Sequence, residues 1–218
     1  DLHGNFYPIK QVMDRIWPDV VNIYGDKAKD EFAILQVGDF GFYNQSLEKW
    51  PNPEFPVYAI DGNHEYFPLI NNIKEVFEIR KNLFYVPRGT ILNLLGYKIG
   101  CCGGGFSVDK AYRHAGTSWF PEERVRQENI DPLLKAEVDF LVTHSPPASV
   151  VKKNFDPLEP SYWRLPNDWN DDSADMIEEL YQQNQAPLFC GHMHKSVKDG
   201  RVQILAEAEI KILPKKVV

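Results

Sequence analysis

Val57-Tyr58-Ala59-Ile60-Asp61-Gly62-Asn63-His64-Glu65 begins as an unbroken apolar run and ends in a tight-turn glycine among oxygen and nitrogen donors. Four continuous apolar residues are strand length and read as a strand covered on both faces. The same transition recurs outward along the chain. Phe32–Val37 runs into Gly38-Asp39. Asp139–Thr143 runs into His144-Ser145-Pro146-Pro147. Pro187–Cys190 runs into Gly191-His192-Met193-His194. A further run, Leu83–Val86, lacks the polar ending, and Asp1-Leu2-His3-Gly4-Asn5 precedes the first helical stretch.

Helices are expected over about 8–24, 68–81, 121–136 and 173–185, the last with Ser173 as its cap and Asp171, Asp172 and Asp175 favouring its N-terminus. Ile91–Leu95 and Tyr97–Cys101 around Gly96 read as a hairpin, as do Lys195–Lys198 and Val202–Leu205 around Asp199-Gly200. Residues 145–170 have no regular pattern and read as a functional loop over a site. Alternating strands and helices with added hairpins predict an α/β fold with a mixed sheet or two stacked sheets.

The 218 residues suit one domain, 1–218, with ordinary globular usage of 43% hydrophobic and 25% charged residues. The net charge of −7 argues against a protein that coats nucleic acid, which needs excess Lys and Arg to neutralise phosphates. Three cysteines without spacing give neither a disulfide framework nor a thiolate metal site. They read as small buried residues in a reducing compartment. With no signal-like N-terminus and no apolar stretch near the ~18 residues of a membrane span, the chain reads as cytoplasmic and membrane-free.

Five of the six histidines fall in the polar clusters; His114 does not. Any one cluster is a weak signal: Gly38-Asp39 alone is a turn, and Asn63-His64-Glu65 alone could start a helix. His192 and His194 are stronger, since alternate residues of an extended segment point the same way. Together they place Asp, Asn, and His at successive strand ends, where open α/β sheets bind ligands. Oxygen and imidazole donors without thiolate suit Mn²⁺, Fe²⁺ or Zn²⁺. Six or seven candidate donors exceed one ion and fit two sharing a carboxylate, the arrangement that clamps a phosphoryl displacement.

Asp1-Leu2-His3-Gly4-Asn5, Gly38-Asp39, Gly62-Asn63-His64-Glu65, Thr143-His144 and Gly191-His192-Met193-His194 resemble, in order, the motifs of the calcineurin-like metallophosphoesterases. The resemblance implies two mixed β-sheets sandwiched between helices, with two divalent metal ions at the strand ends, Mn²⁺ favoured in vitro. It implies that Asp1, His3, Asp39 and His194 hold one ion, and that Asp39 bridges to a second completed by Asn63, His144 and His192. His64 would then be the proton donor or a phosphate ligand. In the family the first motif follows a strand; here Asp1 stands first, so either a strand precedes it or the numbering begins late.

The protein Ser/Thr phosphatases of this family carry two phosphate-binding arginines that are absent here: Phe40-Gly41 follows Asp39, and Asp61 precedes Gly62. The Asp that orients their catalytic His is also missing, and Glu65 occupies a position that is structural in the family. Gly103–Glu123 resembles a stretch of bacterial and phage members, and its Lys110 and Arg113 would restore positive charge at the phosphate unless they are ordinary solvated residues. The substrate expected is a small phosphomonoester, phosphodiester or nucleotide. The alternatives are a protein phosphatase, a nuclease of the same superfamily, and a non-enzymatic metal-binding scaffold.

Overall fold

The computed structural model describes residues 1–216. The first sheet has the order β1 (Ile34–Gln36), β2 (Val57–Ala59), β4 (Leu83–Tyr85), β3 (Phe77–Arg80). Its first three strands are parallel and β3 is antiparallel. The second sheet runs β5 (Thr90–Leu94), β6 (Tyr97–Cys102), β7 (Phe140–Thr143), β8 (Leu188–Cys190), β10 (Val202–Ile204), β9 (Val197–Asp199). There β6, β7, β8 and β10 are parallel, and β5 and β9 are the outer arms of the two expected hairpins. The Leu95-Gly96 turn has both residues at positive φ, as a tight hairpin requires.

Alternation along each strand serves two cores at once. Val57 and Ala59 face helices α1 (Tyr7–Arg15) and α2 (Trp17–Tyr24) together with Phe40, Phe42 and Phe55. Tyr58 turns the other way, into an inter-sheet core with Ile60, Ile99, Phe140, Val142 and Phe189. Leu141 and Leu188 face outward again, against Ile177 and Leu180 of α7 (Asp172–Gln183). The result is two mixed sheets packed face to face between helices, as expected. Among the described residues no helix is long and apolar enough to cross a membrane.

Several local expectations are corrected. The 8–24 helix is two helices, because Pro18 has no N–H to continue the ladder. Residues 68–81 are not a helix: one 3₁₀ turn over Phe67–Leu69 gives way to β3. Pro68 and the Asn71-Asn72 pair stop the helix, and Phe77, Glu78 and, past a bulge at Ile79, Arg80 pair with β4 as an edge strand. The 121–136 stretch keeps only a 3₁₀ turn at Pro121–Glu123 and α5 (Gln127–Ile130). Its backbone is committed elsewhere: Glu123 C=O accepts from Gly105 N–H at 2.9 Å, and Val125 N–H donates to Ser173 Oγ at 3.1 Å. Ser173 therefore does not cap α7; Asp171 does, accepting from Ala174 N–H at 2.9 Å. The 145–170 stretch contains a short helix, α6 (Ala148–Asn154).

Candidate metal centre

Four of the five polar clusters leave the carboxyl end of a parallel strand, and both sheets deliver theirs to the same place. Asp39 follows β1, Asn63 and His64 follow β2, His144 follows β7, and His192 and His194 follow β8. The N-terminal cluster docks by backbone: Leu2 and His3 N–H donate to Asp39 C=O at 2.8 Å, and Gly4 N–H donates to Phe40 C=O at 2.9 Å. Glu65 has the structural role expected for it. Its buried carboxylate accepts from the backbone N–H groups of Phe40, Gly41 and Phe42 at 2.7, 3.0 and 2.5 Å, which fixes the loop after Asp39.

The approach is close enough to demand glycine at two points. A Cβ on Gly62 would lie 2.0 Å from Asp39 Oδ1, and one on Gly38, at φ +97°, would lie 2.4 Å from His144 Nδ1. Four of the candidate ligands, His3, Asp39, His192 and His194, hold positive φ without being glycine. Such strain persists only where the surroundings over-determine it, and it gathers at functional sites.

Asp39 is the shared element. It groups with His3 and His194 on one side and with Asp1 and His144 on the other, the donor atoms of each trio lying within 4.8 Å of one another. Either trio could hold a metal ion. Asp39 Oδ2 is 3.7 Å from His3 Nε2, and Oδ1 is 3.5 Å from His144 Nε2. Burial pushes the Asp39 carboxyl up, but the imidazoles of His144, His64 and His3 and the His64 N–H outweigh it, so it is held well below the usual carboxylate range. Asp1 lies between the groups, with Oδ2 3.4 Å from His194 Nε2 and Oδ1 3.5 Å from His144 Nδ1. His194 Nδ1 is backed by Glu207 at 2.7 Å, which turns Nε2 toward the site. His192 stands edge-on to His144 at 5.0 Å between ring centres, and its N–H donates to Asp1 Oδ2 at 3.1 Å.

His144 shows why these residues fit a cation. Its Nδ1 is 3.0 Å from Val37 C=O, and its Nε2 is 3.0 Å from Asn63 Oδ1. Both neighbours are acceptors, and neutral imidazole has one N–H. Either tautomer leaves a lone pair facing an oxygen. The imidazolium that would satisfy both is opposed by burial, which pulls the His144 pKa down to about 3. A cation at Nε2 would resolve the conflict: Nδ1–H would donate to Val37, and Nε2, Asn63 Oδ1 and Asp39 Oδ1 could hold the ion.

His64 sits beside the cluster, its N–H donating to Asp39 Oδ1 at 2.8 Å and its ring 5.4 Å from that of His3. Burial lowers its pKa, with Arg113 acting in the same direction and Asp39 and Asp109 opposing. Arg113 is not a solvated loop residue. Its side chain is 9% exposed and lies against Ser107, Asp109 and Glu123, with the Tyr43 hydroxyl beside it. Lys110 extends over the Phe106 ring, 5.2 Å from its centre.

Sequence reasoning missed Tyr43, Arg88, Ser107, Glu123 and Glu207. Arg88 pairs with buried Asp61, its Nε donating at 2.8 Å, and also donates to the carbonyls of Glu123 and Arg124. It pins the 103–125 segment beneath the site. A cavity of about 470 Å³ lies between α1, α2 and the inter-sheet core. Its walls are mainly apolar, including Ile9, Val12, Phe140 and Leu213, and it gathers no comparable set of donors.

The fold and the donor cluster together define a metallophosphoesterase-type centre. A family model for the calcineurin-like phosphoesterases matches residues 1–196, and the chain belongs to that family. Membership indicates a metal-dependent phosphoester hydrolase. None of the curated proteins compared with the chain matches it.

Proposed function

We propose that this protein hydrolyses small phosphomonoesters, phosphodiesters or nucleotides at a binuclear divalent-metal centre. Asp1, His3, Asp39 and His194 would hold one ion, and Asp39, Asn63, His144 and His192 the other. The observation that carries the reading is the facing of His144 Nε2 and Asn63 Oδ1 at 3.0 Å beside the Asp39 carboxylate, where one imidazole N–H stands between two acceptors. Two such ions, Mn²⁺ in vitro, supply Lewis acidity to the phosphoryl group and lower the pKa of a water nucleophile.

The chain's own residues do the rest. Asp39 holds the two halves of the site at fixed separation through one carboxylate. Strained backbones at His3, His192 and His194 keep the imidazoles aimed inward without rearrangement during reaction. Arg113 offers a charge-assisted hydrogen bond to a phosphate oxygen, and Lys110 adds longer-range attraction. His64, beside Asp39 and His3, delivers a proton to the departing oxygen.

Arg88, the arginine nearest Asp61 in the fold, is spent on that carboxylate, so it does not replace the cations of the protein phosphatases. A site with few fixed cations discriminates weakly against monoanionic diesters. The Mn²⁺-loaded protein is therefore expected to hydrolyse p-nitrophenyl phosphate and bis-p-nitrophenyl phosphate, with dinucleoside polyphosphates as further substrates to test, and to leave a phosphopeptide largely intact. Efficient phosphopeptide turnover with none on diesters would reverse the assignment.

A further inference from the structure

We infer that Ser107 and Glu123 are positioning residues: through one hydroxyl they set the direction of the Asn63 amide and hold Arg113 beside it. The inference rests on the metal-centre reading above. A serine oxygen has one hydrogen and two lone pairs. Arg113 Nη1 lies 2.6 Å from Ser107 Oγ, and guanidinium can only donate, so one lone pair is taken. Glu123 Oε2 lies 2.8 Å from the same oxygen, and Oε1 accepts the Ser107 N–H at 2.9 Å. Burial raises the Glu123 pKa to about 7, against the Ser107 hydrogen bonds and Arg113, and in its ionised form, above that pH, Oε2 receives the Ser107 hydrogen. The remaining lone pair faces Asn63 at 3.0 Å and can be met only by a donor.

Asn63 must therefore turn its NH₂ to Ser107 and its carbonyl oxygen to His144. Without that constraint the amide could flip. Its NH₂ would then donate to His144 Nε2, both groups would be satisfied, and the donor pocket would close on itself. Asn63 is 3% exposed, and Ser107 and Glu123 are each 1% exposed, so the protein chain alone decides the direction. Glu123 Oε2 is also 3.8 Å from Arg113 Nη1 and Asp109 Oδ1 is 3.6 Å from it, which leaves the cation anchored rather than free to swing. One hydroxyl thus links a candidate metal donor to the candidate phosphate-binding cation.

The test compares the full chain with Glu123→Gln, Ser107→Ala and Ser107→Thr. Mn²⁺ titrations followed by electron paramagnetic resonance give metal affinity; p-nitrophenyl phosphate kinetics give KM and kcat; circular dichroism melts check folding. Glutamine keeps the shape of Glu123 but replaces one acceptor with a donor, so it cannot receive both Ser107 hydrogens. Folded Glu123→Gln and Ser107→Ala are expected to bind Mn²⁺ about 10- to 100-fold more weakly, the range for supporting partners of metal ligands. KM should rise in both, and Ser107→Thr, which keeps the hydroxyl, should recover metal affinity and KM. Unchanged Mn²⁺ affinity and KM in folded Glu123→Gln would overturn the inference. If Glu123→Gln does not fold, equal affinities in Ser107→Ala and Ser107→Thr would overturn it, and a loss restored by threonine would support it. A wild-type chain that binds no Mn²⁺ would overturn the metal reading itself, whereas normal wild-type binding with unmoved variants overturns this inference alone.

Discussion

At His144 a single imidazole separates a satisfied core from a ligand: one N–H, two acceptors at 3.0 Å, and burial that resists the second proton. Its place among the candidate donors was legible in the sequence because Asp39, Asn63, His144 and His192 each come at the end of a short apolar run, and most candidate donors stand beside a glycine, as Asp39 does beside Gly38 and His192 beside Gly191. Ser107 and Glu123 carried no such mark. A serine and a glutamate separated by a loop acquire a shared purpose only when the chain brings them together around Asn63 and Arg113. At this scale the role of His64 is open to a direct check. His64→Ala is expected to retain metal and fold while kcat falls roughly 10²- to 10⁴-fold with poor leaving groups. The loss should shrink with p-nitrophenolate, which needs little protonation. Steady-state kinetics across a leaving-group series give the answer; equal losses throughout would assign His64 to phosphate binding instead.

Elements were legible where apolar runs were short and bounded, as for β2, β7 and β8, and for both hairpins. They were not where helix-like stretches carried prolines and backbone groups that the tertiary structure uses elsewhere. Residues 121–136 contain the turn whose carbonyls serve Arg88 and Gly105, so helical hydrogen bonds could not form there. Asn184, just past α7, does comparable work. Its Nδ2 donates to Leu133 C=O at 2.8 Å and Ala136 C=O at 3.0 Å, tying the 131–136 turns to the helix. Asn184→Ala leaves two carbonyls without this donor and is expected to destabilise the protein by about 1–3 kcal/mol. Urea denaturation of the metal-free protein measures it. Mn²⁺ affinity should not change, since Asn184 touches none of the candidate ligands.

Across the whole molecule, two sheets converge their parallel strand ends on one point, and that convergence brings Asp1 and His194 within 3.4 Å although they stand at opposite ends of the matched region. Asp39, on the first sheet, and His144, on the second, meet there across the inter-sheet core. A carboxylate that belongs to both donor trios makes the two halves one site. Equilibrium Mn²⁺ binding to the wild-type chain and to Asp39→Asn tests this most directly. Two Mn²⁺ per wild-type chain, with both weakened in Asp39→Asn because one group serves two ions, is the predicted result. An absence of saturable Mn²⁺ binding, or two ions held with unchanged affinity by Asp39→Asn, would contradict it.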